Sequence, residues 1–418
     1  MKVTRRQFCL GALAAASTTL LTGCPSPASP DTKPSAPGAP APTSAQAAAQ
    51  SAAGVPATSG EPITISIIDV GGDLNSTKDI IENFKKKFPE KVKEIKYQTG
   101  TAPELPAKIK IQQDAGKLDT NLLLHGQDAG AFLRDQKLLL KILPDLEKRL
   151  PLDKFNQPAK YLLEEGEGFS VPPVVSFGGP LFVYNPNKVK EPPKSVDEFK
   201  AWCKANLGKF QYARPANSGP GRSILQGTPF FLKDKDPKDP INGWEKSWAF
   251  LKEIGRTVEY YPTRTAQTMK EFGEGIRWMM AGIMEWEMNP RAIGTIPMDS
   301  QIFFLPDTTW VIDGHMWSIP KGVSDREKDV LYDLIEFMLQ PEQQAYTYKA
   351  FIGPVVTNTS VDLAPKEIQD VVTKVWRPEY AKWTKEMPNT PTLPTKQLVD
   401  AMDKWDREVG ADQVKTFN

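Results

Sequence analysis

ITISIIDVGGDLNSTKDIIENFKKKFPEKVKEIKYQTG, residues Ile63–Gly100, decides the fold. Ile63–Ile68 is β-branched and partly alternating, the signature of a strand, and it stops at Gly71-Gly72. Over Ser76–Phe88, Ile80, Ile81, Phe84 and Phe88 fall on one helical face before Pro89 ends the run. Val92–Gln98 reads as a second strand, ending at Thr99-Gly100-Thr101. A helix over Glu104–Ala115 follows, and then a third strand, Asn121–Leu124, ending at His125-Gly126-Gln127-Asp128. Strands alternating with helices predict a parallel sheet, whose ligands sit beyond the carboxyl ends of the strands. Gly72, Asp73 and Asn75 in the first loop, and Gly126, Gln127 and Asp128 in the third, are therefore candidate pocket residues. Glycine at such turns serves backbone geometry as often as ligand access.

The alternation starts afresh downstream. Ser170–Pro186 holds two apolar runs broken by Gly178-Gly179-Pro180. Ser195-Val196-Asp197-Glu198 is a capping box opening a helix. Tyr212–Arg222 reads as a Gly/Ser loop with free N–H groups, offering Arg214, Asn217 and Ser218. Trp244, Trp248 and Leu251 share a core-facing helix stripe. Tyr260-Tyr261 ends a short strand, and Thr263-Arg264-Thr265 leads to a helix from Met269. Asp329–Leu339 and Pro341–Tyr348 read as helices, and Leu398, Met402, Trp405 and Val409 make one stripe of a last helix over Thr395–Val409. The 418 residues exceed one hydrophobic core, so two α/β lobes are expected, joined near Tyr184.

Ala281–Gly322 carries the densest chemistry. Glu285-Trp286-Glu287 follows a short strand (Gly282–Met284), and Trp310-Val311-Ile312-Asp313 follows an apolar turn. Large aromatics most often serve a core. Carboxylates beside aromatic faces, as at Trp286, Glu287, Trp310 and Asp313, also suit a cation or an amine. Arg214, Arg222 and Arg264 would instead favour a carboxylate or phosphate.

Composition narrows the class. Hydrophobic content of 40%, charged content of 25% and a net charge of +1 describe an ordinary globular chain with no electrostatic reason to bind nucleic acid. Of 3 Cys, Cys9 and Cys24 lie in the leader, leaving Cys203 alone; with 2 His, His125 and His315, neither an internal disulfide nor a zinc site is expected. No phosphate loop, H-E-x-x-H or G-x-S-x-G motif occurs, and no cofactor or metal is expected. A hydrolase would need His125 or His315 to meet Ser218 or Cys203. A glycosidase could use Glu285/Glu287 or Glu164-Glu165, but the latter pair reads as solvated.

Residues 1–24 read as a targeting segment: a basic start precedes an apolar run, Phe8–Leu21, too short to span a bilayer comfortably. Thr4-Arg5-Arg6-Gln7-Phe8 resembles the twin-arginine export signal. Leu21-Thr22-Gly23-Cys24 resembles a lipobox, with Cys24 as the lipidated residue. Residues 25–60, almost all Pro, Ala, Ser, Thr and Gly, read as a disordered stalk.

Three motifs carry a resemblance to a family. Leu181-Phe182-Val183-Tyr184-Asn185-Pro186 resembles its first crossover between lobes, Tyr212-Ala213-Arg214-Pro215 its YnjB-like branch, and Asp333–Gln344, DLIEFMLQPEQQ, its helix after the second crossover. The chain is thus similar to bacterial extracellular solute-binding proteins of ABC importers, in the branch of spermidine/putrescine, thiamine, ferric-iron and YnjB-like binders. The resemblance implies a type II periplasmic-binding-protein fold with lobes 61–184 plus 313–350 and 185–312 plus 351–418, and crossover strands as hinge. It also implies a monomeric, extracytoplasmic receptor that closes on a small solute and serves a permease, without catalysis. Tyr184 would lie at the cleft. Polyamine binders carry a Trp-Asn pair and a Trp-x-Asp; Trp286-Glu287 and Trp310–Asp313 resemble them, with Glu for Asn and one extra residue in the spacing. A cationic amine such as a polyamine is the expected solute. Thiamine is an alternative, as is ferric iron, which Tyr260-Tyr261 would suit.

Overall fold

A computed structural model describes residues 60–411 together with Lys415 and Phe417. The export signal, the lipobox with Cys24 and the stalk up to residue 59 lie outside the described residues. The eleven described strands are β1 (Ile63–Asp69), β2 (Val92–Thr99), β3 (Leu122–Gly126), β4 (Ser170–Gly179), β5 (Leu181–Tyr184), β6 (Phe210–Gln211), β7 (Met279–Gly282), β8 (Gln301–Phe303), β9 (Trp310–Ser318), β10 (Gly353–Pro354) and β11 (Asn389–Thr390).

They form two sheets. The larger runs β10-β4-β9-β3-β1-β2, with β11 beside the start of β9; the smaller runs β6-β7-β5-β8. Strand β1 pairs in parallel with β2 and β3, as the alternation predicts. The sheet is nevertheless mixed, because β9 lies antiparallel to both β3 and β4. Long strands β4 and β9 bring the chain out of the large sheet and back into it. Between them the chain builds the small sheet, so the two α/β lobes of a type II binding protein are joined by crossovers at 179–181 and at 304–309.

Local chemistry explains the elements. Strand β3, LLLHG, is buried throughout, as a central strand must be, whereas β2 carries Lys93, Glu94 and Lys96 on an exposed edge where charge discourages further pairing. Helix Leu74–Lys87 buries Ile80, Ile81 and Phe84 and ends on Lys85-Lys86-Lys87, whose charges suit the negative end of the helix dipole. One core gathers Ile65, Ile67, Leu122, Trp317 and Leu334 around the large sheet. A second gathers Phe182, Phe199, Phe210, Trp244 and Trp248 around the small one. Helix Thr395–Glu408 closes the second core with Leu398, Met402 and Trp405, whose indole N–H donates to the Tyr212 hydroxyl at 3.1 Å.

The motif helix earns its residues structurally. Asp333, on helix Asp325–Met338, is held by Lys91 at 2.8 Å and Arg149 at 2.5 Å. Buried Gln344 donates to Pro173 O and accepts from Val355 N, tying β4 to the chain beyond β10.

Several local expectations change. Tyr260-Tyr261 lies in no strand. At Ser195 half of the capping box forms: the hydroxyl accepts from Glu198 N, but the Glu198 carboxylate takes the Lys194 N–H instead. The helix expected from Met269 starts earlier, at Thr265. Gly219–Arg222 is not loop but the first turn of helix Gly219–Phe231, capped by Ser218. Its glycines serve packing rather than flexibility: a Cβ on Gly221 would lie 2.2 Å from Ala213 O. Gly178, at φ +75°, similarly admits Val311 O within 1.6 Å of where its Cβ would sit.

Candidate functional site

The carboxyl ends of β1 and β3 meet the start of helix Gly219–Phe231 around a cavity of ≈ 130 Å³. Nine residues expected from sequence line it: Gly72, Asn75, Gly126, Asp128, Asn217, Ser218, Thr265, Trp286 and Asp313. Strand β9 delivers Asp313, Gly314 and His315 to its floor.

Charge is arranged in two clusters. Arg222 reaches Asp128 at 2.7 Å and Asp313 at 3.2 Å, with all three side chains largely buried. Arg222 belongs to the small-sheet side and Asp128 to helix Gln127–Asp135 beyond β3, so this link spans the gap. Asn217 adds a second tie by accepting from Ala102 N at 3.0 Å, and Arg264 a third by donating to Gly100 O at 3.2 Å. In the other cluster, Asp73 accepts from His315 Nδ1 at 3.0 Å and from the Trp317 indole at 2.5 Å. Burial lowers the His315 pKa, but the Asp73 carboxylate, helped by Asp69 and Asp313, outweighs it and holds the imidazole above its usual range.

The N–H groups at the end of β1 are already spoken for. Asp69 accepts from Gly71, Gly72 and Asp73 through Oδ1 and from Leu74 through Oδ2. Burial and the neighbouring Asp73 charge still push the Asp69 carboxyl up. The start of helix Gly219–Phe231, electropositive by its dipole, faces Asp313: a Cβ on Gly219 would lie 2.4 Å from Oδ2.

Six expected residues do not line the cavity. Asp73 sits beneath it, holding His315 and Trp317. Gln127 turns inward to Glu165 and Ile312 O. Tyr184 packs on Phe303 within the small-sheet core. Arg214 is bound by Asp406 and Gly410 O. Glu287, fully buried, is taken by Arg377 and Tyr380. Trp310 is core, against Phe304. Ser176, Ile283, His315 and Ile352 line the cavity without having been expected. They arrive through strand order, which leaves no local mark, although His315 stands two residues from Asp313 on the same strand face.

The enzyme alternatives lose their pairings. His125 engages Gly126 O and Ser318 Oγ, and burial pushes its pKa down to about 4. Ser218 caps its helix and meets Thr265. Cys203 is buried, its thiol pushed up to about 12. Tyr260 bonds Glu271, and Tyr261 stacks edgewise on Tyr212 and Trp405. Among the described residues no group of three or more His, Cys, Asp or Glu is disposed to hold a metal ion.

Glu165 is not the solvated acid its surroundings in sequence suggest. It is buried against Arg134, at 3.3 Å, and Gln127, at 2.9 Å, both on the helix after β3. Burial outweighs these partners and raises its pKa to about 7. The folded chain therefore retains a proton that the unfolded chain has lost. The stability it contributes is full below the unfolded value and disappears as pH rises to about 7, with a slope of roughly 1.4 kcal/mol per pH unit inside that window. Glu165→Gln should remove that slope, measured as the difference from wild type in urea unfolding between pH 5 and 8; parallel profiles would refute it.

A sequence model of the bacterial extracellular solute-binding protein family matches residues 79–374. Comparison with curated proteins gives no match. Solved structures share the fold. An ABC transporter protein from Clostridium perfringens superposes with TM-score 0.58 at 15% identity, covering 83% of this chain and 99% of that one. AfuA from Actinobacillus pleuropneumoniae, with fructose-6-phosphate bound, gives 0.57 at 15%, covering 84% and 99%. Iron-bound HitA from Pseudomonas aeruginosa gives 0.56 at 17%, covering 84% and 100%. An anion and a cation on one scaffold leave ligand choice to the side chains.

Proposed function

The chain belongs to the bacterial extracellular solute-binding protein family, and from that premise we propose that it captures a cationic amine, such as a polyamine, for an ABC importer. Family and fold are those of non-enzymatic extracytoplasmic binders, and no described helix is long and apolar enough to cross a membrane. In this reading Cys24 carries a lipid anchor and residues 25–60 a stalk. The lobe built on the large sheet and the lobe built on the small one close on the solute, which shifts the population by binding the closed form better.

One observation supports the amine above all. The donors that would receive an anion are occupied by the protein's own carboxylates: Asp69 takes the β1-end N–H groups, Asp313 faces the helix start, and Asp128 with Asp313 holds Arg222. Arg214 is tied away and Arg264 is spent on Gly100 O. Asp128 and Asp313 line the cavity beside Arg222 and His315, Asp73 lies behind His315, and Trp286 supplies an aromatic wall.

Thermal-shift titration tests this with spermidine, putrescine, thiamine, ferric citrate and glucose-6-phosphate as probes. An amine should raise the unfolding temperature by an amount set by its concentration over Kd, and the phosphate should not. Trp286→Ala and Asp313→Asn should each weaken the amine about tenfold while the fold persists. Stabilisation by the phosphate alone would overturn the reading.

A further inference from the structure

A second cavity, of ≈ 270 Å³, adjoins the first, and Ile352 lines both. Its walls are mainly apolar, with Phe177 of β4, Met288, Tyr348 and Phe351 beside the polar Asn156, Thr357 and Thr359, and Trp376, 44% exposed, at its rim. One carboxylate enters it, that of Glu285.

The backbone holds Glu285 there. Its φ is +66°, a left-handed conformation that residues with side chains adopt only under constraint. The turn is pinned on both sides: Met284 N donates to Gly178 O, Ser176 Oγ donates to Met284 O, and Met288 N donates to Glu285 O. Trp286 is thereby sent to the cleft and Glu285 to the neighbouring cavity. The carboxylate has no hydrogen bond or ion pair with any described residue. Its titratable neighbours are the Tyr348 and Tyr380 phenols, both raised chiefly by burial and less by nearby carboxylates, Glu285 among them; among the described residues no cation balances Glu285. Burial alone raises the Glu285 pKa to about 7.

We propose that this cavity is a second binding site, for an alkyl- or arylalkylamine whose ammonium pairs with Glu285 and whose apolar body lies on Phe177, Phe351 and Trp376. A partly buried carboxylate without a counter-ion among mainly apolar walls is unfavourable, and a bound ammonium supplies the missing partner. Aromatic walls favour the same charge. A cavity of about 150 Å³ accommodates benzene, so this one has room for a ring and its side arm. The proposal is independent of the solute in the cleft.

The test is calorimetric titration of the whole protein at pH 8, where Glu285 is ionised, with 2-phenylethylamine as probe. Saturable binding is expected, at least about tenfold tighter than that of uncharged 2-phenylethanol or anionic 3-phenylpropionate. Glu285→Gln should abolish that preference, keeping the unfolding midpoint at or above wild type because no partner is lost. Trp376→Ala, at the exposed rim, should weaken binding several-fold. Absence of saturable binding, equal binding of the alcohol, or retention of the amine preference in Glu285→Gln would each overturn the proposal.

Discussion

Replacing Arg222 with methionine is expected to remove about 3–5 kcal/mol of stability at pH 7. The guanidinium is the shared counter-ion of Asp128 and Asp313, and its removal leaves two carboxylates facing each other in a largely buried place. The loss should shrink on acidification. Burial already holds the Asp128 carboxyl above its usual range despite Arg222, and without Arg222 it rises further. A raised carboxyl pKa means that the folded form binds the extra proton, so stability is greatest at low pH and is lost as pH rises through the shifted value. Urea unfolding of Arg222→Met at pH 5 and pH 8 measures this, and adding Asp128→Asn should recover much of the deficit. A loss below about 1 kcal/mol, or one equal at both pH values, would remove the link from its role. Lysine should rescue only partly, since one ammonium cannot reproduce the fork that meets both acids.

The same link bears on closure. Arg222 and Asp128 belong to elements of different sheets, and the ties at Asn217 and Arg264 are single hydrogen bonds to backbone groups. Loss of the ion pair should therefore lower the closed fraction and weaken any solute by that fraction. Acidic residues that first satisfy the protein's own donors also leave the cleft acidic. On the proposed reading, one set of carboxylates then serves both the stability of the closed form and a preference for a cation.

Much of this architecture could be read from residue patterns. The β1–β2–β3 alternation, the core stripe of Leu398, Met402 and Trp405, and the glycine-marked strand ends that face the cavity all follow from periodicity and turn chemistry. Arg222 was legible as a cleft arginine, but not its capture by two acids. Direction was the weak point. Glu285, Trp286 and Glu287 are consecutive, yet they enter a side cavity, the cleft and the core in turn, because a left-handed residue precedes a helical turn at Met288–Ala292. Glu165 looked solvated because its partner Arg134 sits on a different helix, 31 residues away. Ile352 and Ser176 reach the cavity through strand order, which a single sequence does not display.

Glu287 offers the sharpest test of that distinction. Its fully buried carboxylate accepts from Arg377 Nε at 2.6 Å and from the Tyr380 hydroxyl at 2.8 Å, with Arg291 at 3.7 Å. Arg377 also donates to Ser300 O at 2.7 Å, so one guanidinium joins the turn after Trp286 to the chain before β8 and to helix Glu379–Glu386. Arg377→Met should cost about 3–5 kcal/mol, because it strands a buried charge. Glu287→Gln should cost less, since the amide still accepts a hydrogen bond. Neither should change amine affinity at a temperature where both variants are folded. Were Glu287 a solute ligand, as its place beside Trp286 suggests in sequence, the pattern would invert: Glu287→Gln would weaken the amine about tenfold with little loss of stability. Urea unfolding and calorimetric titration of the same two preparations separate these outcomes, and a stable, binding-deficient Glu287→Gln would return this residue to the cleft.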